Sequence, residues 1–574
     1  MTTASHGSST SHSPSTSSGR SAEARAARPS RVLYRGGRVR SPVSPFATSM
    51  LTDGDTVAWV GTDEVAATLA ADLAGQSDAA VVELDDALIT PAFVDAHVHA
   101  TAAGLALGGL DLAGAPTLAA ALDALSAYAK GRSGSVILGT GWDETAWPER
   151  RAPTAAEIDR AAGGAGGNGS GPLVYLARAD VHSAVVSSAL AARAGVGAGF
   201  PGWSGTGRCL LDAHHAVRST ALASVGTVQC EEAQRRTRAR AAELGIAALH
   251  EMAGPQVSSE EDLVALLVLA HAEPGPEVSG YWSGEISTAR RLGVGCGGDL
   301  FVDGSIGSHT AALGSPYTDR ADEVGVLQLD ADDVREQVLE ATAAGLQIGF
   351  HVIGDAAIAV VLDGLEAAAE RVGLDRIVGG RHRLEHCEMA GPDAVRRMAR
   401  LGVVASVQPA FDARWGGADG MYAQRLGPDR AAAMNPFAGL AAAGVVLALS
   451  SDAPVTPLDP WGGVRAAVRH HAADSALSAR AAFSAATRGG WRAARAEGDG
   501  SGELAPGRPA SFAVWAVPDE LVVQVPDGRI AAWSTDPRAA VAGLPNLSGA
   551  APSCLRTVVR GRPVFVVDEP VTDR

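Results

Sequence analysis

From residue 87 to residue 452 the chain repeats one pattern. A short apolar run is followed by an Ala- and Leu-rich helical stretch, and most of the runs stop at a polar residue. The stretch Asp332 to Gly345 carries Val334, Val338 and Leu339 on one face and closes at a glycine. Leu346-Gln-Ile-Gly-Phe-His351 follows it. Asp355 to Gly373 leads in the same way to His382-Arg-Leu-Glu-His386. Pro392 opens the next helix and Gly402 ends it, before Val403-Val-Ala-Ser-Val-Gln408. Apolar strands joined by helices imply a parallel sheet covered by helices on its faces. Eight such strands are legible, ending near His99, Glu251, Trp282, Asp303, His351, His386, Gln408 and Asp452. Eight βα units predict an α/β fold of the TIM-type (β/α)8 barrel class over residues 87–502.

The flanks read differently. Residues 31–86 and 503–574 consist of short strands and turns, such as Thr56-Val-Ala-Trp-Val-Gly61 and Ser511-Phe-Ala-Val-Trp-Ala516. They are expected to meet as one small β-sandwich domain built from both chain ends. Residues 104–240 are too long for one βα connection and are read as an insertion after the first barrel strand. Its run Gly163-Gly-Ala-Gly-Gly-Asn-Gly-Ser-Gly171 has no following Lys-Ser/Thr, so it is a surface loop and not a phosphate loop. Residues 1–30 are rich in Ser, Thr, Gly and Ala without an apolar segment, which predicts a disordered tail and no secretory signal.

Composition narrows the partners. The net charge of −17 disfavours nucleic acid and anionic membranes. No apolar run is long enough to span a bilayer. The cysteines Cys209, Cys230, Cys296, Cys387 and Cys554 are scattered and contain no CxxC pair, which fits a reduced, cytoplasmic protein. A small-molecule substrate is the expected partner.

Chemistry concentrates at the strand ends. In Phe93-Val-Asp-Ala-His-Val-His99, His97 and His99 are spaced i, i+2 and share one strand face, where two imidazoles can chelate one cation. In a barrel of this class catalytic groups sit at the C-terminal strand ends. His351, His386, Asp303 and Asp452 hold such positions as well. A single buried His is usually a hydrogen-bonded core residue. Four histidines and an aspartate on one strand array are costly to desolvate without a cation to coordinate. A divalent metal lowers the pKa of bound water towards ~7 and polarises the substrate oxygen, so hydroxide attack on an electrophilic carbon is the expected reaction. Asp452 would take the water proton and return it to the leaving nitrogen.

The order HxH, His, His, Asp resembles the metal-dependent amidohydrolase superfamily. Gly141-Trp-Asp-Glu-Thr-Ala-Trp-Pro148, Asp303-Gly-Ser-Ile-Gly-Ser-His-Thr-Ala311, His351-Val-Ile-Gly-Asp355, Glu385-His386 and Ser451-Asp-Ala-Pro-Val455 are similar to its amidohydrolase family 3 branch, the YtcJ-like group that includes N-substituted formamide deformylase. The resemblance implies that His97, His99, His351, His386 and Asp452 are metal ligands, with His386 and Asp452 also catalytic. It implies one or two divalent ions, zinc by type, and hydrolysis of a non-peptide carbon–nitrogen bond, such as an N-acyl or N-formyl amide. It also implies a homo-oligomer as an open option. An esterase, lactonase or deaminase on the same centre, or a non-catalytic binding protein, are the alternatives.

One departure stands out. Many relatives carry on the fourth strand a lysine whose carbamate bridges two metals. Here that strand reads Gly298-Asp-Leu-Phe-Val-Asp303, and Lys130, in the insertion, is the sole lysine of the chain. Asp299 aligns with the missing lysine. A single metal, two metals bridged by Asp299, Asp303 or Glu251, and a weakened second site remain open, with one tightly held metal favoured. Substrate contacts are expected from Trp142, Arg178, His182, Trp282 and His309, with Asp180 near them. For Arg178 a local salt bridge, and for the tryptophans plain hydrophobic cover, fit as well. Asp355 is a ligand-orienting residue or a helix cap.

Overall fold

The computed structural model describes residues 30–132, 134–144, 147–164, 171–179, 183–518, 521–522 and 543–567. The expected tail, except Ser30, lies outside the described residues, and so do Asp180 and His182.

The fold is mixed α/β, and eight parallel core strands position the site. Strands β1 (Phe93–Val98), β2 (Ile246–Ala253), β3 (Glu277–Trp282) and β4 (Gly295–Cys296) form one sheet in the order β4-β3-β2-β1. Strands β5 (Gly349–Val352), β6 (Arg383–His386), β7 (Val404–Val407) and β8 (Val446–Leu449) form a second, in sequence order. Single parallel bridges join the two sheets, Cys296 to Ile348 at one edge and Val98 to Ala453 at the other. Every residue of β1, β2, β5, β6 and β7 is buried. Both faces of these strands are dry, so they are continuous apolar runs without alternation.

The helices start and stop where the sequence places them. Asp330 caps Ala331–Ala343 through the Asp332 and Asp333 amides, and Val334, Val338 and Ala341 form its buried stripe. Pro392–Leu401 begins on its proline and ends at Gly402, which has φ +65°.

Strand β4 differs from expectation. The ladder stops at Cys296 instead of running to Asp303, because Gly297 and Gly298 turn the backbone at φ +71° and +84°. A Cβ on Gly297 would lie 1.9 Å from the Gly349 carbonyl oxygen, so only glycine fits this approach. The chain rejoins the array in one bridge between Phe301 and His351. Asp299 sits in the resulting bend.

The chain ends meet. Phe512–Ala516 pairs antiparallel with Leu88–Pro91 inside a five-stranded sheet, and a four-stranded sheet holds Arg31–Arg35, Ser49–Asp53, Thr56–Gly61 and Ala79–Glu83. Tyr34, Met50, Val57, Ile89, Phe512 and Val558 form a common hydrophobic cluster for both sheets. Trp515 carries this packing to β1, its ring 5.7 Å from that of Phe93.

After Ala100–Leu107 the chain builds a separate five-stranded sheet from segments between Leu110 and Leu210. Helix Thr227–Glu243, which sequence reading groups largely with this insertion, packs instead on Ala100–Leu107 and leads into β2. The contact is so close that a Cβ on Gly104 would meet the Ala233 carbonyl oxygen at 1.8 Å. Among the described residues no helix is long and apolar enough to cross a membrane.

Candidate metal centre

His97 in β1 and His99, just past its end, hold rings 5.3 Å apart. Opposite them stands Asp452, whose Oδ1 lies 3.6 Å from His97 Nε2 and 3.2 Å from His99 Nε2. Backbone bonds fix this pairing. Asp452 N donates to the His97 carbonyl at 2.9 Å, and His99 N donates to that of Ala453 at 3.0 Å. Asp452 and His386 both have left-handed backbones, at φ +54° and +73°. Each such residue costs about 1–3 kcal/mol and is held only by its surroundings. At His386 the turn has a purpose: Glu385 and His386 would face opposite sides of a regular strand, yet both reach the ring of His97.

Asp299 occupies the middle. Its Oδ1 is 3.5 Å from His97 Nε2, 3.4 Å from His351 Nδ1 and 3.9 Å from His386 Nε2, and its Oδ2 is 3.3 Å from His99 Nε2. These separations exceed ordinary hydrogen bonds. They match the spacing of about 3.3 Å between neighbouring ligands of a tetrahedral ion bound at 2.0–2.1 Å. His97 Nε2, Asp299 Oδ1, His351 Nδ1, His386 Nε2 and Asp452 Oδ1 are all buried without a hydrogen-bond partner. Unpaired buried polar atoms cost about 1–3 kcal/mol each, so their gathering at one point fits a cation. His97, His99 and Asp452 form one ligand group, and His97, Asp299 and His386 another.

The remaining ring nitrogens select the tautomers. His97 Nδ1–H donates to Glu385 Oε2 at 2.9 Å and His99 Nδ1–H to the Met252 carbonyl at 3.0 Å. His351 Nε2–H donates to the Gly304 carbonyl at 3.2 Å and His386 Nδ1–H to Gln408 Oε1 at 2.8 Å. Each imidazole is thereby left with its free lone pair turned to the centre, the arrangement a metal requires. Glu385 is itself gripped by Arg383, at 2.7 and 3.1 Å. Arg383 also donates to the Ala96 carbonyl at 2.7 Å and lies 4.5 Å from the centre of the Tyr281 ring. Burial pushes the Glu385 carboxyl up, but Arg383 and His97 outweigh it and hold the pKa at about 2. Burial likewise opposes ionisation of Asp299 and Asp452, and the histidines around them win, so both stay below the usual carboxylate range. Ionised carboxylates are the form that ligates metal.

Other expected residues fall elsewhere. Asp303 does not bridge: it accepts the amides of Ala312, Ile353 and Gly354 at 2.9, 3.0 and 2.8 Å and so anchors the loops after β4 and β5. Glu251 accepts Ala100 N at 2.7 Å, and burial first, offset in part by His99, holds its carboxyl at about 7. Trp142 is a core residue of the insertion, its Nε1–H on the Leu176 carbonyl at 2.9 Å beside Trp147. Arg178 pairs with Asp143 and Glu144 at 2.8 Å each. Trp282 belongs to the main core. His309 bonds Asp319 at 3.1 Å in the loop after β4. Asp355 accepts the Gly314 and Ala356 amides at 2.9 and 3.1 Å, holding loop to helix start.

Glu385, Arg383 and Gln408 were not singled out for these roles from sequence. A faint signal exists: a charged pair spaced i, i+2 inside an apolar strand demands internal partners.

A parallel α/β array with His and Asp ligands gathered at its strand ends is the build of a metal-dependent hydrolase. The amidohydrolase family model matches residues 80–565. Over 173 residues, 29% of this chain and 30% of the other, the chain is 32% identical to the putative amidohydrolase YtcJ of Bacillus subtilis (strain 168). It is 24% identical over 458 residues to N-substituted formamide deformylase of Arthrobacter pascens, covering 72% of this chain and 78% of that one. The crystal structure of an uncharacterized metal-dependent hydrolase from Pyrococcus furiosus aligns with a TM-score of 0.70 at 26% identity, covering 84% of this chain and 98% of its own. The chain belongs to the amidohydrolase family, and is a hydrolase acting on carbon–nitrogen bonds.

Proposed function

We propose that the chain hydrolyses a non-peptide N-acyl or N-formyl amide at a zinc-type centre. The observation that carries this reading is the convergence of His97, His99, His351, His386, Asp299 and Asp452, with five ligand atoms buried and unpartnered. A divalent ion held there supplies Lewis acidity and a water of lowered pKa. The chain's own part is positioning and proton handling. Glu385, Met252, Gly304 and Gln408 fix the imidazoles. Asp452, ionised and 3.2 Å from His99, accepts the proton of the attacking water and returns it to the leaving nitrogen. The formamide activity named for the Arthrobacter pascens relative supports the choice of bond.

Six side chains, Asp299 with both its oxygens among them, offer seven candidate ligand atoms. A catalytic ion takes about three protein ligands and keeps an open position. We therefore read two ions: His97, His99 and Asp452 would hold one, His351 and His386 the other, and Asp299 could serve either. This differs from the single ion favoured by sequence. We also read the two parallel sheets as halves of a closed (β/α)8 barrel, the two chain-end sheets as a sandwich, and the protein as cytoplasmic.

The test is a panel of formamide, longer N-acyl amide, ester and amidine substrates on zinc-loaded protein. Amide turnover is expected, with kcat reduced about 10²–10⁴-fold in Asp452→Asn. Turnover confined to esters or amidines, or unchanged in the variant, would overturn the reading.

A further inference from the structure

Four imidazoles face the metal centre, and three of them lean on groups that only accept hydrogen bonds. The Glu385 carboxylate backs His97, and the carbonyls of Met252 and Gly304 back His99 and His351. Against such partners the ring nitrogen must donate. His386 is different. Its Nδ1 meets Oε1 of the Gln408 amide at 2.8 Å, and an amide has a donating face as well as an accepting one. With that amide reversed, Nδ1 would accept and Nε2 would carry the proton, where a metal needs a lone pair.

Gln408 is buried, so the protein must choose the face. Its Nε2 donates to Ser450 Oγ at 2.9 Å. The Ser450 hydroxyl faces the Val407 carbonyl at 3.3 Å and Ser406 Oγ at 3.5 Å. A carbonyl only accepts, so the hydroxyl proton turns to Val407 and a lone pair is left for the amide N–H. Direction therefore starts from a fixed acceptor and passes from the Val407 carbonyl through the Ser450 hydroxyl and the Gln408 amide to the His386 ring. Neighbouring strands hold the relay in place: His386 closes β6, Gln408 follows β7 and Ser450 follows β8. Ser450 N adds a bond of 3.0 Å to the same Val407 carbonyl.

A serine that only satisfies its own corner is the plain alternative. The two roles differ in one consequence. A structural serine matters whatever stands at position 408, whereas an orienting serine matters only while residue 408 has two faces.

We propose that Ser450 is a positioning residue of the metal centre, which through Gln408 fixes the nitrogen that His386 turns to metal. This deepens the hydrolase reading, on which it rests for His386 as a ligand.

Zinc affinity of the full chain, measured by competition against a chromophoric chelator, tests it. The reporter is the ion that His386→Ala weakens, whether the centre takes one ion or two. Ser450→Ala should weaken that ion about 3–10-fold, the effect of one net hydrogen bond. In Gln408→Glu, whose carboxylate has no donating face, the same serine change should cost less than about twofold. In Gln408→Leu, where no amide is left to orient, it should again cost less than about twofold. Equal losses in the three backgrounds, no loss in the wild-type background, or no ion weakened by His386→Ala overturns the proposal. If Gln408→Leu does not melt cooperatively, Gln408→Glu decides by the same comparison. If Ser450→Ala does not, Ser450→Gly takes its place. No turnover enters the measurement, so a wild type that hydrolyses no amide counts against the hydrolase reading and leaves these ratios to judge Ser450.

Discussion

His97 Nδ1 donates to Glu385 Oε2 at 2.9 Å, and both side chains are fully buried. This bond sets the tautomer of a histidine whose other nitrogen faces Asp299 and Asp452. Partners of this kind are worth roughly 10–100-fold in metal affinity. Glu385→Gln should weaken zinc binding by about that factor, and it also leaves buried Arg383 without its counter-charge. Competition against a chromophoric chelator measures it; unchanged affinity in a folded variant would reduce Glu385 to a purely structural partner of Arg383.

Asp299 touches both halves of the centre, Oδ2 towards His99 and Oδ1 towards His351 and His386. If its carboxylate lies between two ions, chelator-free wild type holds two transition-metal ions per chain by elemental analysis, and Asp299→Asn holds fewer. One ion in the wild type would restore the single-metal reading.

Acid should destabilise the protein through His382, fully buried with Nδ1 accepting the Ile348 amide. Burial, with Arg495 adding, lowers its pKa from 6.5 to about 4. Between those values the unfolded chain binds a proton that the folded chain does not. Stability therefore falls as pH drops from 6.5 towards 4, by on the order of 3 kcal/mol for this group. Denaturant unfolding at several pH values should show a shallower acid slope for His382→Gln than for the wild type. Equal slopes would assign the acid loss to other groups.

Gly297→Ala should damage fold and site together. Its φ of +71° strains any side chain, and the new Cβ would press on the Gly349 carbonyl at 1.9 Å. The backbone strain alone is worth roughly 1–3 kcal/mol. A lower melting midpoint with weakened metal binding is expected, since the same bend presents Asp299. A variant that melts and binds metal like the wild type would show that the bend tolerates a side chain.

The sequence by itself determined the parallel strands, the helix limits and the residue types gathered at the strand ends. These rest on short-range rules: apolar runs, caps, glycine stops and the two-residue period that puts His97 and His99 on one face. It also located Asp299, because a missing lysine is visible without coordinates. Tertiary structure decided what each polar residue does. Asp303 and Asp299 are four positions apart in one segment, yet one holds backbone amides and the other faces four histidines. Trp142, Arg178 and Trp282 went to packing and ion pairs, because burial and partner choice depend on segments distant in sequence. Glu385 gained its role only when the fold brought β6, from the other sheet, within hydrogen-bond reach of His97. Hydrogen-bond direction and the sharing of ligands are set by such long-range juxtaposition, which no local pattern encodes.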